Sequence, residues 1–342
     1  MADGNSVSAI IADLRSRYVF SERDDAMRRH LHRRLAHDDA GAPLAQPALQ
    51  RSGESGGIMV TGPSGAGKNW LIGKAIERTP ALGVGTAAEL LDRTTDGPLT
   101  CLFVRVPSPA TLKSLGLTII KACGLPVARL PAERWAIWDL ARIRLKTRGV
   151  VVLWIDEVHN LFRTGADRDV REILDAFKSL MQGGDEAVVL ILSGTRLLFD
   201  MTKIDPETSR RLTKLHMPVL CDAVHGDELR GLIEAYCAKA GLEPPDRGDL
   251  VGRLIHGARG AFGRCLDMTI NAIEEALTEG HRQLDIQHFA DAFAMHEGCD
   301  PEGNVFLAPS YADIELDLDP DRDPDPEPSG TRKRPARKET RP

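Results

Sequence analysis

Apolar residues are distributed along the chain in two contrasting patterns. Between residues 57 and 220, short apolar runs without polar alternation recur at 58–61, 99–106, 150–155 and 188–193, and 215–220 is expected to form the last core strand. Strands that are buried on both faces of a parallel sheet have this composition. Because stretches with helical periodicity separate the runs, the pattern predicts an α/β fold built around a parallel sheet.

Helical periodicity is the only regular pattern in two other regions. After the last apolar run it recurs in four stretches, near 226–240, 247–256, 261–278 and 285–296. Four such helices predict a small α-helical lid domain that follows the sheet. Ahead of the sheet, residues 7–37 predict two helices, and a linker rich in Gly, Pro and Ala follows them.

The end of the sequence has a different composition. After about residue 309 the chain is rich in Asp and Pro, and residues 331–338 are mostly basic. Such segments cannot bury enough apolar surface to fold alone, so we expect disorder. The predicted organisation is an N-terminal helical adaptor and linker (1–50), an α/β core (51–221), an α-helical lid (222–300) and a disordered tail, acidic then basic (301–342).

A glycine-rich segment follows the first apolar run and opens a predicted helix. It consists of Gly62, Pro63, Ser64, Gly65, Ala66, Gly67 and Lys68, followed by Asn69 and Trp70. In a P-loop of this spacing the backbone N–H groups face a β-phosphate, and the lysine reaches the β/γ oxygens. The segment therefore predicts nucleotide binding.

The position after the lysine departs from the usual P-loop. A Ser or Thr normally gives its hydroxyl to Mg²⁺ there. Asn69 either offers its amide oxygen to the ion or leaves the ion to water and other ligands. The motif thus predicts binding more strongly than hydrolysis.

Two carboxylates end the apolar run at 150–155. Asp156 and Glu157 form the end of a Walker B pattern, in which the first acid holds Mg²⁺ and the second orients and deprotonates the attacking water. In isolation, an Asp-Glu pair merely ends a strand and caps the next helix, but the P-loop in the same chain favours the catalytic interpretation. One run later, Thr195 follows Ser193 and Gly194 and is a candidate γ-phosphate sensor, although these residues also suit an ordinary turn.

Composition narrows the class of protein only slightly. The 342 residues are 42% apolar and 27% charged, with a net charge of −6, which gives no global sign of nucleic-acid binding. Six scattered cysteines form no metal-binding motif. No apolar run is long enough to span a bilayer and no signal peptide is evident, so we expect a cytoplasmic protein without membrane contact.

With these motifs in order, the chain resembles AAA+ ATPases, and more closely the TniB/TnsC family of transposition regulators. The resemblance covers about residues 10–300 and is carried by segments 14–19, 62–68, 154–160, 192–195 and 260–266. It implies an arginine finger at Arg210 or Arg211 that completes a neighbouring subunit's site. It also implies a sensor arginine at Arg264, with Arg259 as the alternative, because a guanidinium stabilises phosphoryl charge.

The resemblance further implies a function. Members of such a family are ATPases that bind ATP and Mg²⁺, form homo-oligomeric rings or filaments on double-stranded DNA, and recruit a DDE-type transposase similar to TniA or TnsB. A TniQ-like protein is a further expected partner, in the bacterial cytoplasm. DNA contacts are expected from Lys113 and Arg105.

Two alternatives remain open at the level of sequence. In one, the protein is a nucleotide-gated scaffold on DNA, and Asn69 leaves hydrolysis negligible. In the other, it is a P-loop ATPase that acts on a protein client and has no DNA function.

Overall fold

A computed structural model describes residues 4–91, 99–125, 133–163 and 167–316. Within these ranges the chain forms a parallel sheet flanked by helices, a helical domain after it, and a small antiparallel hairpin. The hairpin consists of β1 (Leu35–His37) and β2 (Pro43–Pro47). None of the helices in these ranges is long and apolar enough to cross a membrane.

The parallel sheet has five strands in the order β4-β5-β6-β3-β7. These are β3 (Gly57–Thr61), β4 (Cys101–Arg105), β5 (Val152–Asp156), β6 (Val189–Gly194) and β7 (Leu212–His216). The three inner strands are buried along their whole length, whereas both edge strands carry exposed residues. Two-sided burial explains why the inner strands lack polar alternation in the sequence.

Helices cover both faces of the sheet. Met59 of β3 points to one face and Ile58 and Val60 to the other, and each face has its own apolar core. The domain that contains this sheet is called the base below. Its helices are α2 (Glu22–His32), α3 (Lys68–Glu77), α4 (Ala87–Leu91), α5 (Leu112–Ala122), α6 (Arg134–Thr147), α7 (Asp167–Leu180), α8 (Arg196–Thr202) and α9 (Pro206–Arg211). The P-loop joins β3 to α3, at the carboxyl edge of the sheet, where a doubly wound fold binds its ligand.

The lid has a separate apolar core. It is formed by α10 (Asp222–Ala240), α11 (Leu250–Gly257), α12 (Phe262–Thr278) and α13 (Ile286–Glu297), together with α1 (Gly4–Ser16) from the start of the chain. Ile11 and Leu14 of α1 are buried in this core. The predicted α/β core with a helical lid is therefore the observed fold.

The first fifty residues differ from the predicted adaptor and linker. α1 packs with the lid, whereas Met27 and Leu31 of α2 are fully buried in the core of the base. Part of the predicted linker forms the β1–β2 hairpin. The segment is thus divided between two cores. The apolar residues of α1 pack against the helices of the lid, and those of α2 pack against one face of the base.

Two boundaries in the structure also differ from the predicted ones. The last strand, β7, lies three residues earlier than predicted, because its alternating burial marks an edge strand and not a buried apolar run. The lid continues beyond residue 300, since Val305 and Phe306 are fully buried in its core and Arg253 donates to the carbonyls of Val305 and Ala308. The predicted tail is therefore wrong for residues 301–316, and residues 317–342 lie outside the described part.

Candidate nucleotide site

The P-loop has the backbone geometry of an anion cradle. Gly65 and Gly67 have φ angles of +76° and +88°, which residues with a Cβ rarely adopt, and α3 begins at the next residue, Lys68. The lysine is buried, and its Nζ donates to the carbonyl oxygens of Gly62 (2.9 Å) and Pro63 (2.8 Å). The helix N-terminus and the lysine therefore lie at the same cavity wall, as phosphate binding requires.

The strand order brings the Walker B acid close to the P-loop. β6 lies between β5 and β3, and the N–H of Gly62 donates to the Gly194 carbonyl at 3.2 Å. Asp156 is fully buried at the end of β5 and accepts a hydrogen bond from the Ser193 hydroxyl at 2.6 Å. The Trp154 indole donates to the same hydroxyl at 2.8 Å. Ser193 therefore fixes the orientation of this carboxylate.

Ser193 was missed as a site residue in the sequence, where Thr195 was the candidate sensor. Thr195 is buried two residues further on, at the N-cap of α8. The only sequence signal for Ser193 is a hydroxyl inside an otherwise apolar run. Its partner comes from the neighbouring strand, so the contact depends on the strand order.

Two further groups approach the Asp156 carboxylate. The Asn69 amide nitrogen donates to Oδ2 at 3.0 Å, and the Arg105 Nε lies 3.5 Å from the same oxygen. β4 and β5 pair Arg105 directly with Asp156, so the arginine proposed from resemblance as a DNA contact lies at the phosphate end of the sheet. Asn69 and Asp156, the two predicted metal ligands, are hydrogen-bonded to each other.

Glu157 follows in an unusual backbone conformation. Its φ is +59°, in the left-handed region, and it precedes a short 3-10 helix, Val158–Phe162. A non-glycine residue there costs on the order of 1 kcal/mol or more, and such strain is concentrated at functional sites. The carboxylate lines the cavity, with one oxygen 3.5 Å from Nε2 of buried His159. Glu157 thus combines a left-handed backbone conformation with a position at the cavity, directly after Asp156.

The cavity itself has a volume of about 560 Å³ and a second wall opposite the P-loop. The loop after α1 contributes Tyr18, whose hydroxyl donates to Asp24, and burial with this hydrogen bond raises the pKa of the phenol. The lid contributes Tyr236 and Leu266, and exposed Trp70 lies at the rim, with its ring 6.5 Å from that of Tyr18. Aromatic and apolar groups of this kind suit a nucleobase.

The lid touches the P-loop through the first turn of α12. A Cβ at Gly65 would lie 2.8 Å from Cγ of Arg264, and a Cβ at Gly263 would collide with the Gly65 carbonyl. Arg264 therefore packs against Gly65 of the P-loop. The alternative, Arg259, instead donates two hydrogen bonds to Glu297 at 2.9 and 2.8 Å, so its guanidinium is engaged within the lid.

The two finger candidates lie in different environments although they are adjacent. Arg211 is 4% exposed, and its guanidinium donates to Glu54 at 2.6 Å. This intrachain pair engages Arg211 within its own subunit and favours Arg210 as the residue that enters a neighbour's site. Arg210 is exposed at the end of α9 and remains the candidate. Lys113 is likewise exposed, in the first turn of α5.

A separate cluster in the lid contains possible metal ligands. Glu279, His281 and His288 bring one donor atom each to within 4.8 Å of one another. However, the N–H of Asp285 donates to His288 Nδ1 at 2.9 Å, which places the proton of the neutral ring on Nε2. That nitrogen faces His281 Nδ1 at 2.7 Å and thus forms a hydrogen bond instead of presenting a lone pair to a metal.

Comparison with known families identifies the chain at this point. Residues 45–220 match the family described as bacterial TniB protein, which is just over half of the chain and contains every strand of the parallel sheet. The chain belongs to the TniB family. No curated protein matches the TniB-family chain in sequence.

Solved structures agree on the fold. The ORC1 protein of Aeropyrum pernix, solved in complex with DNA, aligns with a TM-score of 0.55 at 20% identity, over 83% of this chain and 67% of that one. The Aeropyrum pernix ORC2 protein aligns with a TM-score of 0.51 at 18% identity, over 82% and 71%. At these identities the likeness establishes an AAA+ ATPase fold with a helical lid.

Proposed function

We propose that this TniB-family chain is an ATPase of DNA transposition, which oligomerises on double-stranded DNA and recruits or activates a DDE-type transposase at the target. The observation that carries the nucleotide part is the position of Arg264 over Gly65. A triphosphate in the P-loop would contact the α/β core and the lid simultaneously. A diphosphate would lack the γ-phosphate and with it the contact to the lid. The lid position can therefore report which nucleotide is bound.

The catalytic roles follow from the geometry. Lys68 and the backbone amides of the P-loop would bind the phosphates, and Glu157 would hold the attacking water and accept its proton. Arg264 would stabilise charge on the γ-phosphate from the lid, and Arg210 of an adjacent subunit would do so from outside. Oligomerisation is part of the proposal because the exposed Arg210 has a role only at a subunit boundary.

The usual Mg²⁺ partner of ATP fits the arrangement poorly. Both oxygens of Asp156 accept hydrogen bonds from the protein, and the residue after the P-loop lysine presents an N–H group to it. Mg²⁺ requires oxygen ligands in near-octahedral geometry. The catalytic roles proposed above therefore rest on groups of the protein alone.

DNA binding is supported by the family and by the fold shared with a protein that was solved in complex with DNA. Lys113 is the exposed candidate for a phosphate contact. Contacts of this kind are independent of base sequence, so affinity should fall steeply with salt concentration. A transposase partner, and a TniQ-like protein as a further partner, follow from the family relationship alone.

The proposal is tested by co-sedimentation of the protein with a long duplex in the presence of ATP. Wild type and Lys121→Ala, which changes an exposed lysine of α5, should sediment with the DNA, and Lys68→Ala should not. Equal assembly of Lys68→Ala would contradict the proposal. DNA-independent rings would favour an ATPase that acts on a protein client.

A second candidate is a DNA-bound scaffold in which ATP controls assembly and hydrolysis is negligible. The hydrogen bond between Asn69 and Asp156 favours it, because it engages the carboxylate that normally serves the reaction. The scaffold predicts negligible turnover by wild type and higher turnover by Asn69→Thr. Rapid, DNA-stimulated turnover by wild type would exclude it.

A further inference from the structure

Three groups of the protein engage the Asp156 carboxylate, and each of its oxygens accepts a hydrogen bond. It is buried, and burial of an ionised carboxylate is costly unless charge and hydrogen bonds compensate it. Ser193 donates to Oδ1, while Asn69 donates to Oδ2 and Arg105 adds a positive charge beside that oxygen. The compensation that a divalent cation supplies in a usual P-loop site is thus already present.

Asn69 stands where a usual P-loop has Ser or Thr, and it contributes one of these contacts. Its side chain reaches one atom further than a Ser or Thr hydroxyl, and it directs an N–H group at the carboxylate. A cation beside Oδ2 would have to displace this hydrogen bond. It would also lie close to the fixed positive charge of Arg105, which opposes its binding.

Arg105 is held in place by the sheet. It pairs with Asp156 in the register of β4 and β5, and its guanidinium lies 6.0 Å from the ring centre of Phe103. The backbone of both partners is therefore fixed at neighbouring strand ends. Although the Arg105 side chain is 61% exposed, the carboxylate it faces is 1% exposed, so solvent screens the pair from one side only.

We propose that Asn69 and Arg105 take the place of a divalent cation at Asp156, so that this chain binds a nucleoside triphosphate with little dependence on Mg²⁺. The inference rests on the proposed nucleotide binding and concerns the same site. Asn69 and Arg105 then act as positioning and charge-compensating residues. Substitution of either residue should change the dependence of nucleotide binding on Mg²⁺ more than it changes the stability of the fold.

The test is titration of the full-length protein with a fluorescent ATP analogue, in Mg²⁺ and in EDTA. For wild type the ratio of the dissociation constant in EDTA to that in Mg²⁺ should stay below about fivefold. Asn69→Thr removes the competing N–H and restores a hydroxyl, so its ratio should rise to about tenfold or more. Arg105→Gln should bind the ATP analogue more weakly than wild type in EDTA, and Mg²⁺ should restore its affinity. Arg105→Lys should resemble wild type in both buffers.

Arg196→Gln is a matched control, because Arg196 pairs with Asp200 on the same helix, α8. Circular dichroism in both buffers would check that each variant is folded. A wild-type ratio above about fivefold, or an Asn69→Thr ratio equal to that of wild type, would overturn the inference and leave the proposed function standing. Absence of binding in both buffers would instead overturn the proposed function.

Discussion

The two walls of the nucleotide cavity differ in how the chain builds them. The phosphate wall comes from the ends of neighbouring strands and lies entirely within the family match, residues 45–220. The opposite wall is assembled from segments on both sides of that match, around residues 14–24 and 228–270. The P-loop and the strand-end acids thus lie within the family match, whereas Arg264 and most residues of the opposite wall lie outside it.

The walls also differ in what holds them in place. Three strands that are buried along their length fix the phosphate wall. The opposite wall depends on α1, which packs against α12 far away in sequence. We therefore expect substitutions at the phosphate wall to act on nucleotide affinity directly, and those at the other wall to act first through the stability of the lid.

The largest expected effect is at the phosphate wall. Lys68→Ala removes the one lysine of the cradle and with it charge-assisted hydrogen bonds to the phosphates, so affinity for ATP should fall about 1000-fold. The melting temperature should hardly change. Isothermal titration calorimetry measures the affinity, with Lys121→Ala as the control. A loss below about tenfold would contradict the assignment of the cradle.

At the opposite wall the expected effect is on stability. Leu14 is fully buried between α1 and the lid, so Leu14→Ala should cost about 3 kcal/mol of unfolding free energy. ATP affinity should weaken only as the lid loosens. Urea unfolding measures the first quantity, and Ser8→Ala, at an exposed position of α1, is the control. Unchanged stability of Leu14→Ala would show that α1 is not part of the lid core.

Two arginines of the lid separate effects on nucleotide preference from effects on stability. Arg264→Ala should reduce the preference for ATP over ADP about tenfold and leave stability unchanged, because this side chain lies over the P-loop. Arg259→Ala should cost about 2 kcal/mol of stability and leave the preference intact, because its partner is Glu297. Competition binding and thermal denaturation measure the two effects. The reverse result would exchange the roles of the two arginines.

The smallest expected effect concerns pH. The hydrogen bonds from Arg259 lower the pKa of Glu297 below its ordinary value. A lowered pKa means that this contribution to stability is complete above the pKa of the unfolded state and is lost as pH falls through the folded pKa. The difference in stability between wild type and Arg259→Ala should therefore shrink below about pH 4.3. A difference that is constant from pH 7 to pH 3 would exclude the ion pair as its source.

Much of the phosphate wall could be predicted from the sequence. Gly62 to Lys68 and Asp156 are identified by local spacing, because a P-loop and an acid after a buried strand need no distant partner to be recognised. The parallel sheet is also predictable, since burial on both faces removes polar residues from the inner strands. The position of β7 was wrong because an edge strand lacks that signature.

The contacts between distant segments could not be predicted. The sequence does not indicate that Arg105 and Ser193 meet Asp156, because this follows from the order in which strands pair. Nor does it distinguish Arg210 from Arg211, since only the packing of Glu54 beside α9 buries one of them. The division of the first fifty residues between base and lid is likewise set by faces that other helices leave open.

We propose that one cavity, lined by both domains, couples the identity of the nucleotide to DNA binding. Fluorescence anisotropy of a labelled duplex at fixed salt, with ATP, a non-hydrolysable ATP analogue or ADP, tests this directly. We expect binding with ATP and the analogue and not with ADP, because a diphosphate lacks the γ-phosphate that Arg264 is proposed to contact. Equal binding with ADP, or no binding with any of the three nucleotides, would contradict it.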